Sequence, residues 1–293
     1  MYQSTIDYST IGQRLRAYRI ESSLKAEDIA ENLAVSRAAV YRLEKGEIVK
    51  IETLDRLAKL LKTSLPSLLG VDVEYYSSGA GFFERMGQLE EQSTDVYSHF
   101  DPFSFLLMSP DYLNYVRQML YESANHSQED RDKIDSALLI LHERKNNLIS
   151  HFPYVNNLIG LQPIERFLHI GLVGSLNISP SKKMERALLA RKEVEHLIHQ
   201  IEENNNTVFA VAITKEMVPS STFQIFYNCH SPLSLGLSPF RLGEFPNVTT
   251  GIASITSSPQ AIQRYKKLFD RLWASSLKNS EAIDLLRATL QRY

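Results

Sequence analysis

The sequence predicts an all-α N-terminal domain of five short helices, then a helical middle segment and a mixed α/β C-terminal domain. Three observations carry this reading. In the first 70 residues apolar side chains recur at helical spacing, with only a few residues between periodic runs. Thr207–Thr214 (TVFAVAIT) is almost entirely apolar and strand-sized, as a strand covered on both faces should be. Beyond residue 160, strand-like and helix-like runs come in the order strand, helix, several strands, helices, which is the pattern of an α/β unit.

The N-terminal helices follow from spacing. Ile11, Leu15 and Tyr18 repeat at i, i+4, i+7, Ile29 and Leu33 at i+4, and Val40 and Leu43 at i+3. Ile51, Leu54, Leu57, Ala58 and Leu61 make a longer stripe, and Leu65, Leu68 and Leu69 a last short turn. The short gaps force neighbouring helices to cross steeply. This domain is expected over residues 8–70. Residues 71–81, within GVDVEYYSSGAG, are small and aperiodic and read as a linker, although Tyr75 and Tyr76 argue against a free tether.

Residues 82–160 read as a helical connecting and dimerisation region. Phe82–Leu89 is one helix; Asp111–Ser123 follows Ser109-Pro110, a cap and a first-turn proline. Ser127–Ser150 opens on a Ser-x-x-Asp start and carries Ile134, Leu138, Leu141 and Leu148 on one face. Residues 161–293 read as an α/β sensor and dimerisation domain. Strands are expected at Phe167–Val173, Thr207–Thr214, Thr222–Tyr227, Pro232–Leu237 and Val248–Thr256. Helices are expected from Ser179-Pro180 to about Glu203, from Ser258-Pro259, and from near Ser280.

Composition narrows the function classes. With 43% hydrophobic and 23% charged residues the chain holds too much apolar material to be disordered. No apolar run approaches the ~20 residues that span a bilayer. The start, MYQSTIDYST, lacks a basic-then-apolar leader, so a cytoplasmic location is expected. A single cysteine, Cys229, excludes an intramolecular disulfide and a Cys-rich metal site. The net charge is −2, with eleven Lys/Arg against nine Asp/Glu in residues 1–70, so any affinity for nucleic acid must come from local placement rather than bulk charge.

That placement is found in Ser23–Gly46, SLKAEDIAENLAVSRAAVYRLEKG. Two helices of similar length flank a tight turn at Leu33–Ser36. The inward set is Ile29, Ala30, Leu33, Val35, Val40 and Leu43, which leaves Arg37, Ala38, Tyr41, Arg42 and Lys45 on the outer face of the second helix. A helix of that size fits the DNA major groove. On the Ile29-Ala30 pair, the Val35-Ser36-Arg37 turn, Val40, the Arg42-Leu43-Glu44-Lys45-Gly46 ending and the Leu54–Leu69 run, residues 11–69 resemble the Cro/C1-type helix-turn-helix (XRE) family of phage repressors and bacterial regulators. The resemblance covers about a fifth of the chain.

The resemblance implies a lambda-repressor-like five-helix DNA-binding domain that binds operator half-sites as a homodimer. By matching positions, Arg37, Ala38 and Arg42 fall where base edges are read, Ser36 at a cap and phosphate contact, and Tyr41 on backbone or a thymine methyl. Lys45 and Lys50 fall on phosphates, and Arg19 and Glu44 form an ion pair tying the first helix to the third. Two residues depart from the family: Ala26 stands for the usual glutamine and Ala34 for the usual turn glycine. The alternative is an antitoxin-like protein-interaction module with weak DNA specificity.

For the rest of the chain the pattern resembles, loosely, phospholipase D-like and other α/β sensor domains. The H-x-K-x-x-x-x-D motif is missing, since Glu143-Arg144-Lys145 follow His142. G-x-S-x-G, P-loop and H-E-x-x-H motifs are missing too, so no enzymatic activity and no cofactor are expected. Glu195, His196 and His199 share a helix but flank an apolar stripe, which makes a solvated face the better reading than a metal site. Cys229-His230 reads as a strand end with a half-buried thiol. The loop Ser238–Asn247 is the best candidate wall for a small-molecule effector, with Arg241 as an anion ligand weighed against a structural ion pair.

Overall fold

The computed structural model describes residues 8–47, 50–71, 73–122, 128–150, 153–203 and 209–293. Five helices open the chain: α1 (Tyr8–Glu21), α2 (Ala26–Leu33), α3 (Arg37–Glu44), α4 (Ile51–Leu60) and α5 (Leu65–Leu69). Ile11, Leu15, Ile29, Val40, Leu54, Leu57 and Leu68 are all buried in a common core, whereas Val35 and Ile51, expected on the apolar faces, are exposed at the turn and at the first position of α4. Between α2 and α3, Ala34 is left-handed with φ 55°, and the Val35 amide closes the turn on Ala30 O at 2.9 Å. Gly12 is required for another reason: a Cβ there would lie 2.5 Å from the Glu44 carbonyl oxygen, so α1 rides directly on the end of α3.

Residues 71–81, expected as a linker, carry β1 (Glu74–Tyr76) and the start of α6 (Gly79–Glu91). Within that segment Asp72 lies outside the described residues. β1 pairs antiparallel with β7 (Ala253–Thr256). The strand is hard to see in sequence because its inward residues are Glu74 and Tyr76. Glu74 is buried only because Arg14 (2.7 Å) and Arg85 (3.0 Å) meet it there.

The expected helical middle also holds two strands, β2 (Asp95–His99) and β3 (Tyr154–Gly160). They pair in parallel in the centre of the sheet. β3 hides its nature behind Asn156-Asn157; Asn157 is buried, where Ser98 Oγ donates to its Oδ1 at 3.1 Å. Around them lie a 3-10 turn (Phe105–Leu107), α7 (Tyr112–Glu122) and α8 (Gln128–Ser150), much as expected except that Ser127, the expected cap, lies outside the described residues. Phe167–Val173, expected as a strand, instead falls largely in α9 (Leu161–Ile170), where Ile164, Phe167 and Leu168 are buried at i, i+3, i+4. The helical period ran N-terminal to the segment that looked like a strand.

The remaining elements are α10 (Pro180–Glu203), β4 (Phe209–Thr214), β5 (Thr222–Asn228), β6 (Ser231–Ser238), β7, α11 (Pro259–Ala274), β8 (Leu277–Lys278) and α12 (Asn279–Leu290). Thr207 and Val208 of the expected strand lie outside the described residues. The expected strand at Val248–Thr256 shortens to β7, because the Asn247 side chain ties down a turn through the Thr250 amide (2.9 Å) and carbonyl (2.6 Å). The sheet order is β1-β7-β6-β5-β2-β3-β4-β8, with β2, β3 and β4 parallel and the other pairs antiparallel.

One face of this sheet is covered by α11, whose Ile262, Phe269 and Leu272 pack on Leu158, Phe223, Ile225 and Leu235. The core on the other face is continuous with the core of the five-helix unit, from Ile11 through Met86, Val96 and Ile134 to Leu286. α1 is therefore shared. Tyr18 stacks on Tyr76 with centroids 5.0 Å apart, and Gly81 lets α6 approach so closely that a Cβ would lie 2.6 Å from the Cβ of Glu21. The Glu21 carboxylate accepts from the Ser77 amide (2.6 Å) and the Ser78 hydroxyl (2.7 Å), placing a negative charge at the α6 N-terminus. Among the described residues no helix is long and apolar enough to cross a membrane.

Candidate nucleic-acid interface

Five of the expected contact residues share one face of α3. Val40 and Leu43 anchor α3 inward, with 0% and 9% exposure. Its opposite face presents Arg37, Ala38, Tyr41, Arg42 and Lys45, all exposed. Their spacing of i, i+1, i+4, i+5, i+8 makes one continuous stripe. Ser36 caps the helix by accepting from the Ala39 amide at 3.2 Å, and its own side chain is exposed. Lys50 stands exposed at the N-terminus of α4, where it makes no side-chain cap.

The expected ion pair is present. Arg19 Nε donates to Glu44 Oε1 at 2.5 Å and Arg19 Nη2 to Glu44 Oε2 at 3.3 Å, while Nη1 reaches the Leu24 carbonyl at 3.3 Å. One guanidinium thus fixes α1, the α1–α2 connection and the end of α3. The Glu44 side chain is only 6% exposed, so this is a shielded pair. It sets the tilt of the exposed stripe without belonging to it.

Arg42 is the looser of the two stripe arginines, with Nε 4.0 Å from Glu47 Oε2. Arg37 is held by three contacts: Glu27 Oε1 at 2.9 Å from Nη1, and the Tyr41 hydroxyl at 3.2 and 3.0 Å from Nε and Nη2. The Tyr41 hydroxyl first, and then the Glu27 carboxylate, push the Arg37 pKa still higher. Glu27 was not foreseen. Its only signal in sequence is its place as the second residue of α2, beside the start of α3. Ala26, in the place of the family's glutamine, is buried and cannot make the bridge that Glu27 makes.

The ligand expectations at Arg241 do not come together. Its backbone bridges Asn247, and its exposed side chain donates from Nε to the Phe245 carbonyl at 3.2 Å, within its own loop. Phe240 and Glu244 of that loop are buried, and Arg166 ties Glu244 to Asp101. A cleft of about 420 Å³ runs between α6 and α8, lined by Gly87, Glu90, Glu91, Arg144, Asn147 and Leu148. An adjoining hollow of about 250 Å³ shares Gly87, Glu91, Arg144 and Asn147 and reaches Gln13, Arg16 and Glu44 of the five-helix unit. Inside, Arg144 pairs with Glu90 at 2.5 Å, both buried.

The other candidates resolve as surface features. His199 faces Glu203 at 3.2 Å in the open, and among the described residues no three His, Cys, Asp or Glu side chains are grouped to hold a metal. Cys229 is exposed, not half-buried, because Cys229 and His230, with φ 45° and 72°, form the tight turn between β5 and β6.

A family model described as a helix-turn-helix domain matches residues 10–69, which are α1 through α5. No curated protein and no solved structure matches the chain. The five-helix unit is thus a helix-turn-helix domain, a fold that suggests a DNA-binding regulator.

Proposed function

We propose that the protein is a sequence-specific DNA-binding transcription regulator of the Cro/C1 type, acting as a homodimer on a duplex operator. The observation that carries this is the stripe on α3: two arginines, a tyrosine and a lysine held outward by a helix whose other face is sealed by Val40 and Leu43. In this reading α3 enters the major groove, and Arg37 and Arg42 donate pairs of hydrogen bonds to guanine edges. Ala38 leaves room for a base. Ser36, Tyr41, Lys45 and Lys50 meet the backbone and set register. No catalytic step is assigned.

The body of the protein gives this reading its mechanics. Because α1 is packed into both units, the spacing between the two stripes of a dimer is set by the body and not by a tether. We assign the small-molecule effector role to the cleft between α6 and α8, since its extension touches Arg16 and Glu44 of the reader. A ligand there shifts operator affinity only by its differential affinity for the two arrangements.

The test is enrichment of duplexes from a random library by the full chain, followed by genome-wide capture. Arg37→Ala and Arg42→Ala are expected to relax base preference while circular dichroism stays native. Retention of full preference in both variants, or enrichment of no site by the native chain, would refute the reading. For the effector role, a metabolite that raises the melting temperature and changes operator affinity in the native chain should do neither after Asn147→Trp, which fills the cleft.

A further inference from the structure

Arg37 is an exposed arginine with part of its donor set already in use. Glu27 comes from α2; Tyr41 lies one turn along α3. Of the five N–H groups of a guanidinium, Nε–H and one N–H of Nη2 go to the Tyr41 hydroxyl, while Nη1 lies 2.9 Å from Glu27 Oε1 as an ion pair. At least one N–H therefore remains on each terminal nitrogen. That is the donor set that guanine O6 and N7 accept side by side. The guanidinium carbon also sits 5.4 Å from the Tyr41 ring centroid, so the ring supports the fork as well as the hydroxyl. Exposed ion pairs add little to stability. What this arrangement changes is the freedom of the side chain. A loose arginine spreads over many rotamers and takes any phosphate within reach, whereas one tied to a carboxylate must give up that partner to do so.

We propose that Glu27 and Tyr41 are positioning residues that present Arg37 to a guanine in the major groove and hold its guanidinium off the phosphates. The proposal rests on the DNA-reading role given above and goes beyond it: an acidic residue of α2 that touches no base sets the specificity at one base pair. Glu27 does the work of the bridging side chain that Ala26 cannot supply. Its negative charge opposes non-specific binding, since every phosphate that approaches Arg37 also approaches the carboxylate.

The experiment uses the full chain, a random duplex library, and then the enriched duplex against a scrambled one. Glu27→Gln and Tyr41→Phe are compared with the native chain and with Arg37→Ala, folding being checked by circular dichroism. Both variants are expected to flatten base preference at the same base pair as Arg37→Ala and at no other, by about fivefold, the lower end of what one bidentate contact discriminates. Glu27→Gln is also expected to bind the scrambled duplex more tightly, with a log–log salt slope steeper by about 0.9, as one phosphate contact is gained. A general structural fault would weaken all base pairs alike, and that outcome overturns the proposal. So does full preference at that base pair in both variants; if Arg37→Ala loses it, the DNA-reading role still stands. If the native chain enriches no duplex, the reading and the proposal fall together.

Discussion

Glu74→Gln tests whether the helix-turn-helix unit and the sheet are one cooperative structure. The Glu74 carboxylate accepts from Arg14 Nε (2.7 Å), Arg85 Nε (3.0 Å), Arg85 Nη2 (3.3 Å) and the Tyr76 hydroxyl (2.7 Å). Arg85 is 1% exposed, so water cannot replace the lost charge. Glutamine removes the anion and can turn an amide donor toward guanidinium donors, leaving a buried cation uncompensated at a cost of about 3–5 kcal/mol. Against a total stability of about 5–15 kcal/mol, that is about a fifth or more. The assay is urea unfolding followed by far-ultraviolet circular dichroism and by fluorescence of the lone tryptophan, Trp273, which stacks on Phe269 beneath the far face of the sheet. Both transitions should move together to lower urea. A cost below about 1 kcal/mol refutes the argument from the buried charge. A Trp273 transition that stays in place while helical signal is lost refutes the shared core.

The same carboxylate predicts an acid limit. Burial alone would push the Glu74 carboxyl up, but Arg85 and Arg14 outweigh it and hold it below the ordinary range. A carboxyl lower in the folded than in the unfolded state gives stability that is complete above the unfolded value of about 4.3 and is lost as pH falls through the folded value. Stability measured against pH should therefore fall more steeply below about pH 4.3 in the native chain than in Glu74→Gln. Arg19→Ala strands Glu44, and a loss of about 3 kcal/mol is expected by urea unfolding, with base preference kept at temperatures where the variant is folded. Ala34→Gly relieves the left-handed alanine at φ 55°. It should add about 0.5–1 kcal/mol once the glycine's extra chain entropy is counted, read as a higher melting temperature. Gly81→Ala places a Cβ 2.6 Å from Glu21 Cβ and should cost about 1–3 kcal/mol, with looser α1–α6 packing seen by hydrogen exchange at Ser77 and Ser78.

The residues that follow local rules were legible. Ser36 caps α3, Ala34 takes the left-handed turn, and Arg19 meets Glu44, each as spacing or family position implied. The stripe from Arg37 to Lys45 needed only helical periodicity to be placed on one face. Glu27 escaped because its role lies in a partner ten residues away across a turn, with nothing in its own neighbourhood to mark it. Arg241 was singled out for its loop chemistry, and the loop turned out to be packed against Arg166 and Asp101.

By itself the sequence determined the helix-turn-helix unit, the helices α6 through α8 and α10 through α12, and most of the strands β4 to β6. In each, periodic burial or an uninterrupted apolar run lies within the element itself. Tertiary structure alone decided that β1, β2 and β3 exist and that the helix-turn-helix unit is built onto the body. Their inward residues include Glu74, Ser98 and Asn157, polar side chains that enter a core only because partners distant in the chain meet them there. A buried charge or amide is stable where its hydrogen bonds are satisfied, and that condition is written in the contact between elements, not in the pattern of any one of them.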